Sequence, residues 1–189
     1  NVNFFREMNR LAPVSLAGAD INAKAQAAAL MFEANNQLSH TPPTSWACYT
    51  APGAEAAGRS NIALGISGAN SVGAYVQDAG AGNEPLGHRR WILFPKARVF
   101  GTGSTNRSNA LWVIDSGATQ GPRPSSDLVA WPPPGYVPWP LVYPRWSVSS
   151  NFAPGADYSA AQVSVRTGST PLAVTKLPAH EGYGDRWAN

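Results

Sequence analysis

The stretch Gly87-His88-Arg89-Arg90-Trp91-Ile92-Leu93-Phe94-Pro95, followed closely by Gly101-Thr102-Gly103, decides how this chain is read. An imidazole stands between a glycine and two arginines, directly before four apolar residues that a proline ends. The run 91–94 is too short for periodicity to choose between a buried strand and a helix end. Either way, His88 falls where a buried element meets a loop, and Gly87 lets another backbone approach closely there. Such a position suits the rim of a cleft. It equally suits a histidine that only satisfies hydrogen bonds at an element's end.

Around this stretch the chain is weakly charged. Of its 189 residues, 43% are hydrophobic and 13% charged, against about 25% charged in an average globular domain. That length predicts one domain with an extension, and the apolar content is enough for a substantial core. The net charge is +3, carried by eleven arginines and three lysines. Arg89, Arg90, Lys96, Arg98 and Arg107 lie between Glu84 and Asp115 with no acid among them. A cationic face can meet phosphate, anionic lipid or a cell-wall polymer, and it can equally be a solvated surface. No nucleic-acid reader motif accompanies it, so no nucleic acid is expected as a partner. Cys48 is the single cysteine, which excludes an internal disulfide and reads as a small buried side chain. No stretch approaches the ~18 apolar residues of a membrane span, and residues 1–6 lack the marks of a signal peptide.

Upstream, Val2, Phe4, Phe5, Met8 and Leu11 fit one helix face, with Asn1 or Asn3 as cap and Pro13 as stop. A second helix, capped by Asp20, runs through an alanine-rich segment to Asn35-Asn36 with Ile21, Ala25, Ala28 and Phe32 at helical spacing. It exits into Leu38-Ser39-His40-Thr41-Pro42-Pro43, where the prolines force extended chain. His40 therefore lies at an element boundary, as His88 does. Residues 44–53 read as loop anchored by Trp46 and Tyr49, and a short helical turn around 54–57 gives way at Gly58. Asn70-Ser71 then caps a helix with Val72, Tyr75 and Val76 inward and Gln77-Asp78 at its end. Residues 79–83 read as a flexible loop, and 110–115 as a strand rich in aromatic and β-branched residues.

Taken in order, these motifs resemble one family: an alanine-rich helix ending in Ser-His, an Asn-Ile-Ala turn, an aromatic helix with a carboxylate three residues on, then Gly-His with Pro and Gly-x-Gly. The series is similar to the CAP superfamily of cysteine-rich secretory, antigen 5 and pathogenesis-related proteins, over roughly residues 1–115. The resemblance implies an α/β fold, a three-layer α-β-α sandwich, with a cleft commonly holding two histidines and two glutamates. It assigns the histidines to His40 and His88. One glutamate position falls on Ser60, in Gly58-Arg59-Ser60-Asn61-Ile62-Ala63, and the other on Asp78, three residues after Tyr75. Glu55, about a turn upstream, is the nearest carboxylate to replace the lost one, and Glu84 is a weaker candidate. The resemblance also implies an extracellular, secreted protein.

Two imidazoles are the core of a zinc or copper site, which ordinarily needs a third protein ligand. A carboxylate beside a histidine can instead fix its tautomer. His40 and His88 are accordingly the candidate ligands for zinc or another divalent metal, within a cleft that includes Glu55, Ser60 and Asp78. The chain holds no Gly-x-Ser-x-Gly and no His-Glu-x-x-His, so no familiar hydrolase signature supports catalysis. The expected function is binding, of a lipid, a cell-surface component or a divalent metal. The alternative is a hydrolase, metal-assisted or with Ser60 as nucleophile.

From Gly121 the composition changes. Eight prolines lie between Pro122 and Pro144, interleaved with Trp131, Tyr136, Trp139 and Tyr143. Such ring density predicts packing rather than disorder, with Trp131, Trp139 and Trp146 buried against the preceding domain. A strand is expected at 145–149, and a hairpin of 161–166 with 172–176 about Gly168-Ser169. The expected organisation is a CAP-like domain at 1–120 and a proline-rich, β-rich extension at 121–189 packed on it, as on some bacterial CAP-like proteins. His180, near the end, reads as exposed.

Overall fold

The computed structural model describes residues 1–114, 128–150 and 160–178. Helix α1 spans Val2–Met8, β1 Ser15–Leu16, α2 Ala19–Asn35, α3 Ala51–Gly58 and β2 Ser60–Leu64. Helix α4 follows at Gly68–Gln77, α5 at Gly87–Ile92, β3 at Val99–Ser104 and β4 at Ser108–Trp112. The extension contributes β5 at Leu128–Trp131, β6 at Ser147–Ser150, β7 at Val165–Thr167 and β8 at Thr170–Leu172.

A four-stranded sheet in the order β1-β3-β4-β2 forms the middle layer. β1 joins β3 in parallel, and β4 runs antiparallel to both β3 and β2. Alternation along β4 separates the two cores, because successive side chains of a strand face opposite ways. Ala110 and Trp112 pack with Ala25, Ala28, Met31 and Phe32 of α2 and Ala56 and Ala57 of α3. Leu111 and Val113 pack on the other side with Phe5, Val72, Tyr75, Val76 and Ile92. Helices α2 and α3 thus cover one face and α1, α4 and α5 the other. The expected α-β-α sandwich is what forms.

The glycines and alanines set the spacing of these layers. A Cβ on Gly103 would stand 2.1 Å from the Gln26 backbone nitrogen, and one on Gly101 would stand 2.6 Å from Ile21 Cγ2. The Gly-x-Gly pair therefore serves close approach of α2 to β3, not a turn. Ala25, Ala28 and Ala29 are fully buried. Gln26 reinforces the seam by donating from Nε2 to Ser104 O and accepting from Ser104 N–H.

Several local expectations need correction. Helix α1 ends at Met8, because Arg10 takes a left-handed φ of 55° well before Pro13, and Phe4 is half exposed. Gly18, not Asp20, is the N-cap of α2, and Asp20 lies in the first turn, where a negative charge suits the helix dipole. Helix α3 begins at Ala51, inside the expected loop, because Thr50 Oγ1 accepts from Gly53 N–H. Helix α4 starts earlier than expected, from Ser67 as N-cap, and residues 81–83 form a 3₁₀ turn where a flexible loop was expected. Cys48 is exposed, at a left-handed φ of 60°. The apolar run after His88 is helical at its start.

In the extension, β5 and β6 pair antiparallel, and Trp131 is buried between Phe5 and Tyr143 with its indole N–H on Leu141 O. Trp139 is 82% exposed and Trp146 54%, against expectation. Pro138 and Pro140 fix the chain direction around Trp139 without supplying an apolar partner, and Trp146 stands between Arg145 and Ser147, so ring content alone does not bury them. β7 and β8 form the expected hairpin with shorter strands, and its residues are almost all exposed. Residues 115–127, 151–159 and His180 lie outside the described residues.

Candidate functional site at two histidines

His40 follows α2, and its Nδ1 lies 2.8 Å from Ala57 O, in the last turn of α3. A carbonyl only accepts, so this contact assigns the proton to Nδ1 and leaves Nε2 of the neutral ring bare. The loop beyond His40 is pinned from α2. Asn35 donates from Nδ2 to Ala47 O and accepts from Ala47 N–H, each at 3.0 Å.

His88 occupies the first turn of α5. Its Nδ1 lies 2.7 Å from Asp78 Oδ1, and Asp78 Oδ2 accepts from Arg89 N–H at 3.3 Å. Asp78 is 1% exposed and has a left-handed φ of 53°, which turns its side chain back from the end of α4 toward α5. The ring of His88 stacks on Tyr75, with centroids 5.4 Å apart and planes 19° from parallel. Asn61 Nδ2 donates to His88 O at 3.0 Å. The carboxylate partner assigns His88 the same Nδ1–H tautomer as His40, with Nε2 again bare.

A single short segment links the two histidines. Ala57 holds His40 and Asn61 holds His88, and the four residue steps between them reach at most ~14 Å. Ser60 lies within that segment. It is buried, and its hydroxyl has no hydrogen-bond partner among the described residues. Glu55 is turned elsewhere: its carboxylate meets Lys24 Nζ at 2.8 Å and Arg59 Nε at 3.6 Å. The hydrogen bond from Lys24 leads in holding Glu55 below the usual carboxylate range. Lys24 and Arg59 both lie over the Trp112 ring. Glu84 is exposed. Among the described residues no three His, Cys, Asp or Glu side chains gather as a metal-holding group.

Behind His88 lie two groups that sequence reading did not assign. Tyr75 Oη is surrounded by acceptors, Asn109 Oδ1 at 2.9 Å, Asn61 O at 3.1 Å and Asn109 O at 3.3 Å. Burial pushes its phenol well above the ordinary value of 10.0. Arg89, fully buried, donates from Nε to Val76 O, from Nη2 to Gln77 O and from Nη1 to Arg145 O and Ser147 Oγ. Burial lowers its guanidinium to about 10, with Asp78 acting in the opposite sense, so it stays charged at neutral pH. Asn61 was legible only as part of the Asn-Ile-Ala turn. Arg145 carried no local signal, since its role depends on where β6 docks.

The four-stranded sheet, with α2 and α3 on one face and α1, α4 and α5 on the other, is the layered architecture of a CAP-type domain. The family model described as Cysteine-rich secretory protein family, CAP, matches residues 1–115, and the chain belongs to this family. Comparison with the curated proteins and with the solved structures returns no match. Members of the family are commonly extracellular, and no described helix is long and apolar enough to cross a membrane.

Tyr75→Phe is expected to destabilise the protein by ~1–3 kcal/mol at neutral pH, because buried acceptors lose their donor. The raised folded pKa sets the sign at alkaline pH. The wild-type advantage is whole below the ordinary phenol value of 10.0 and declines as pH rises above it, where the unfolded chain ionises first. Chemical denaturation of both proteins at pH 7 and above pH 10 checks this through the narrowing of their difference.

Proposed function

We propose that this protein is an extracellular CAP-domain binding protein whose His40/His88 cleft takes a divalent cation of the zinc type. The observation that carries the reading is the shared tautomer: each imidazole is held through Nδ1, by Ala57 O or by Asp78, and offers a bare Nε2. Metal-binding histidines are ordinarily held this way, with the second nitrogen on a carbonyl or carboxylate. His40 and His88 would hold the ion, Asp78 would orient His88, and water would complete the coordination. With two assured nitrogens the site is weaker than a structural zinc site, and the fold does not depend on it. A bound ion with open positions supplies Lewis acidity and an anchor for an anionic group on a lipid or cell-surface component.

The hydrolase alternative has less support. The Ser60 hydroxyl is buried and, among the described residues, neither imidazole nor any other base is hydrogen-bonded to it.

Calorimetric titration with zinc checks the proposal. Wild-type protein is expected to bind one ion per chain, and His40→Ala and His88→Ala are each expected to weaken binding at least ~10-fold. Acidification should weaken it as well, since protons compete for Nε2. Wild-type affinity in either single variant overturns the shared site.

A further inference from the structure

Beyond the segment that matches the family, Arg145 brings the chain back to the His88 site. Arg145, just before β6, donates from Nη2 to Asp78 O and to Gly80 O, each at 2.7 Å. Its own carbonyl accepts from Arg89 Nη1 at 2.9 Å, and Arg89 holds the last carbonyls of α4, Val76 O and Gln77 O. The two guanidinium groups therefore bind four carbonyls, those of residues 76, 77, 78 and 80, across the reversal that ends α4. Cations are favoured at a helix C-terminus, where carbonyls lack intrahelical partners.

That reversal decides where the Asp78 carboxylate points. Asp78 sits at φ 53° and ψ 48° and Gly80 at φ 102°. For a residue with a Cβ, the left-handed conformation is unfavourable and must be held by its surroundings. With the conformation held, Oδ1 reaches His88 Nδ1 and Oδ2 reaches the Arg89 amide. If Asp78 relaxed into right-handed helical geometry, α4 would extend and the carboxylate would swing away from α5. The Arg145 guanidinium, on the carbonyls of residues 78 and 80, opposes that relaxation.

We propose that Arg145 is a positioning residue for the histidine cleft. Acting through the Asp78 and Gly80 carbonyls, it keeps His88 in its Nδ1–H tautomer with Nε2 bare. The extension is then part of the site: removing its grip alters His88 without touching the ring. The consequence for cation binding rests on the function proposed above, whereas the tautomer does not.

Nitrogen-15 spectra of the histidine side chains in the metal-free full chain separate the two. In wild type, the neutral rings of His40 and His88 are both expected as Nδ1–H. In Arg145→Ala, His88 is expected to become a mixture of tautomers while His40, held by Ala57 O on α3, stays unchanged as an internal reference. Arg145→Lys keeps a cation that reaches one of the two carbonyls and is expected to restore His88 in part. It carries the same readout if the alanine variant does not fold. Zinc affinity of Arg145→Ala is expected to fall ~10-fold, the usual effect of losing an outer-shell partner. An unaltered His88 tautomer in a folded Arg145 variant overturns the proposal, as does an equal change at both histidines, which would report general loosening. A His88-only change in a protein that binds no zinc supports the positioning role and removes the cation reading alone.

Discussion

Gly103→Ala is expected to lower stability by at least ~3 kcal/mol, which for a chain of this size is a fall of ~6–12 °C in melting temperature. The added methyl would stand 2.1 Å from Gln26 N, 2.3 Å from the Ala25 carbonyl carbon and 2.3 Å from Gln26 Cα. All three are backbone atoms, so no rotamer change relieves the overlap. Helix α2 must lift from β3, opening the layer in which Ala25, Ala28, Met31 and Phe32 pack. Gly73→Ala is the matched control. It lies in α4, its Cβ would meet nothing within 4 Å, and its φ is not left-handed. Helix propensity alone then predicts a gain of ~0.5–1 kcal/mol. Thermal denaturation of the two variants should move in opposite directions; similar melting temperatures would refute the close-approach reading of Gly-x-Gly.

Arg89→Met is expected to destabilise the protein by ~3–5 kcal/mol, because the buried Val76 O left without its donor costs ~1–3 kcal/mol and the three partly buried acceptors each add less. Four acceptors lose it at once: Val76 O, Gln77 O, Arg145 O and Ser147 Oγ. The methionine fills much of the volume, so the loss reports hydrogen bonding more than a cavity. Arg89→Lys should fall between the two, since an ammonium cannot span positions that the planar guanidinium fork bridges. The damage should begin at the extension, where Arg89 meets β6. Proteolysis within residues 128–150 is therefore expected to accelerate before the 1–114 region is cut, and simultaneous cleavage of both would show that Arg89 does not fasten the extension.

Much of the sandwich was legible because local signals agreed with it. The alanine-rich segment and the Asn36 exit each mark an element where one forms, whereas Asn61-Ile62-Ala63, read as a turn, lies within strand β2 and pairs with β4. Other features needed information that no single stretch carries. The burial of Trp131 depends on Phe5, over a hundred residues away, whereas no such ring partner meets Trp139 among the described residues. Composition gave the two rings the same reading. The histidines were visible as residues at element boundaries, whereas their tautomers were not, since Ala57 O and Asp78 become partners only after folding. Glu55 was suggested as a replacement ligand by proximity in sequence, and its ion pair with Lys24 of α2 was not visible there. Arg89 was read as part of a cationic stretch and Arg145 as the start of a strand, yet both guanidinium groups hold backbone carbonyls at the end of α4 or in the turn beyond it.

The most direct test of the account is a zinc titration followed through the imidazole nitrogen-15 resonances of the intact chain. If His40 and His88 share one cation, both Nε2 signals move together and reach their endpoint at one equivalent, while both Nδ1–H signals persist. Movement of one ring alone, movement of the two at separate equivalents, or loss of either Nδ1–H signal on binding would contradict it.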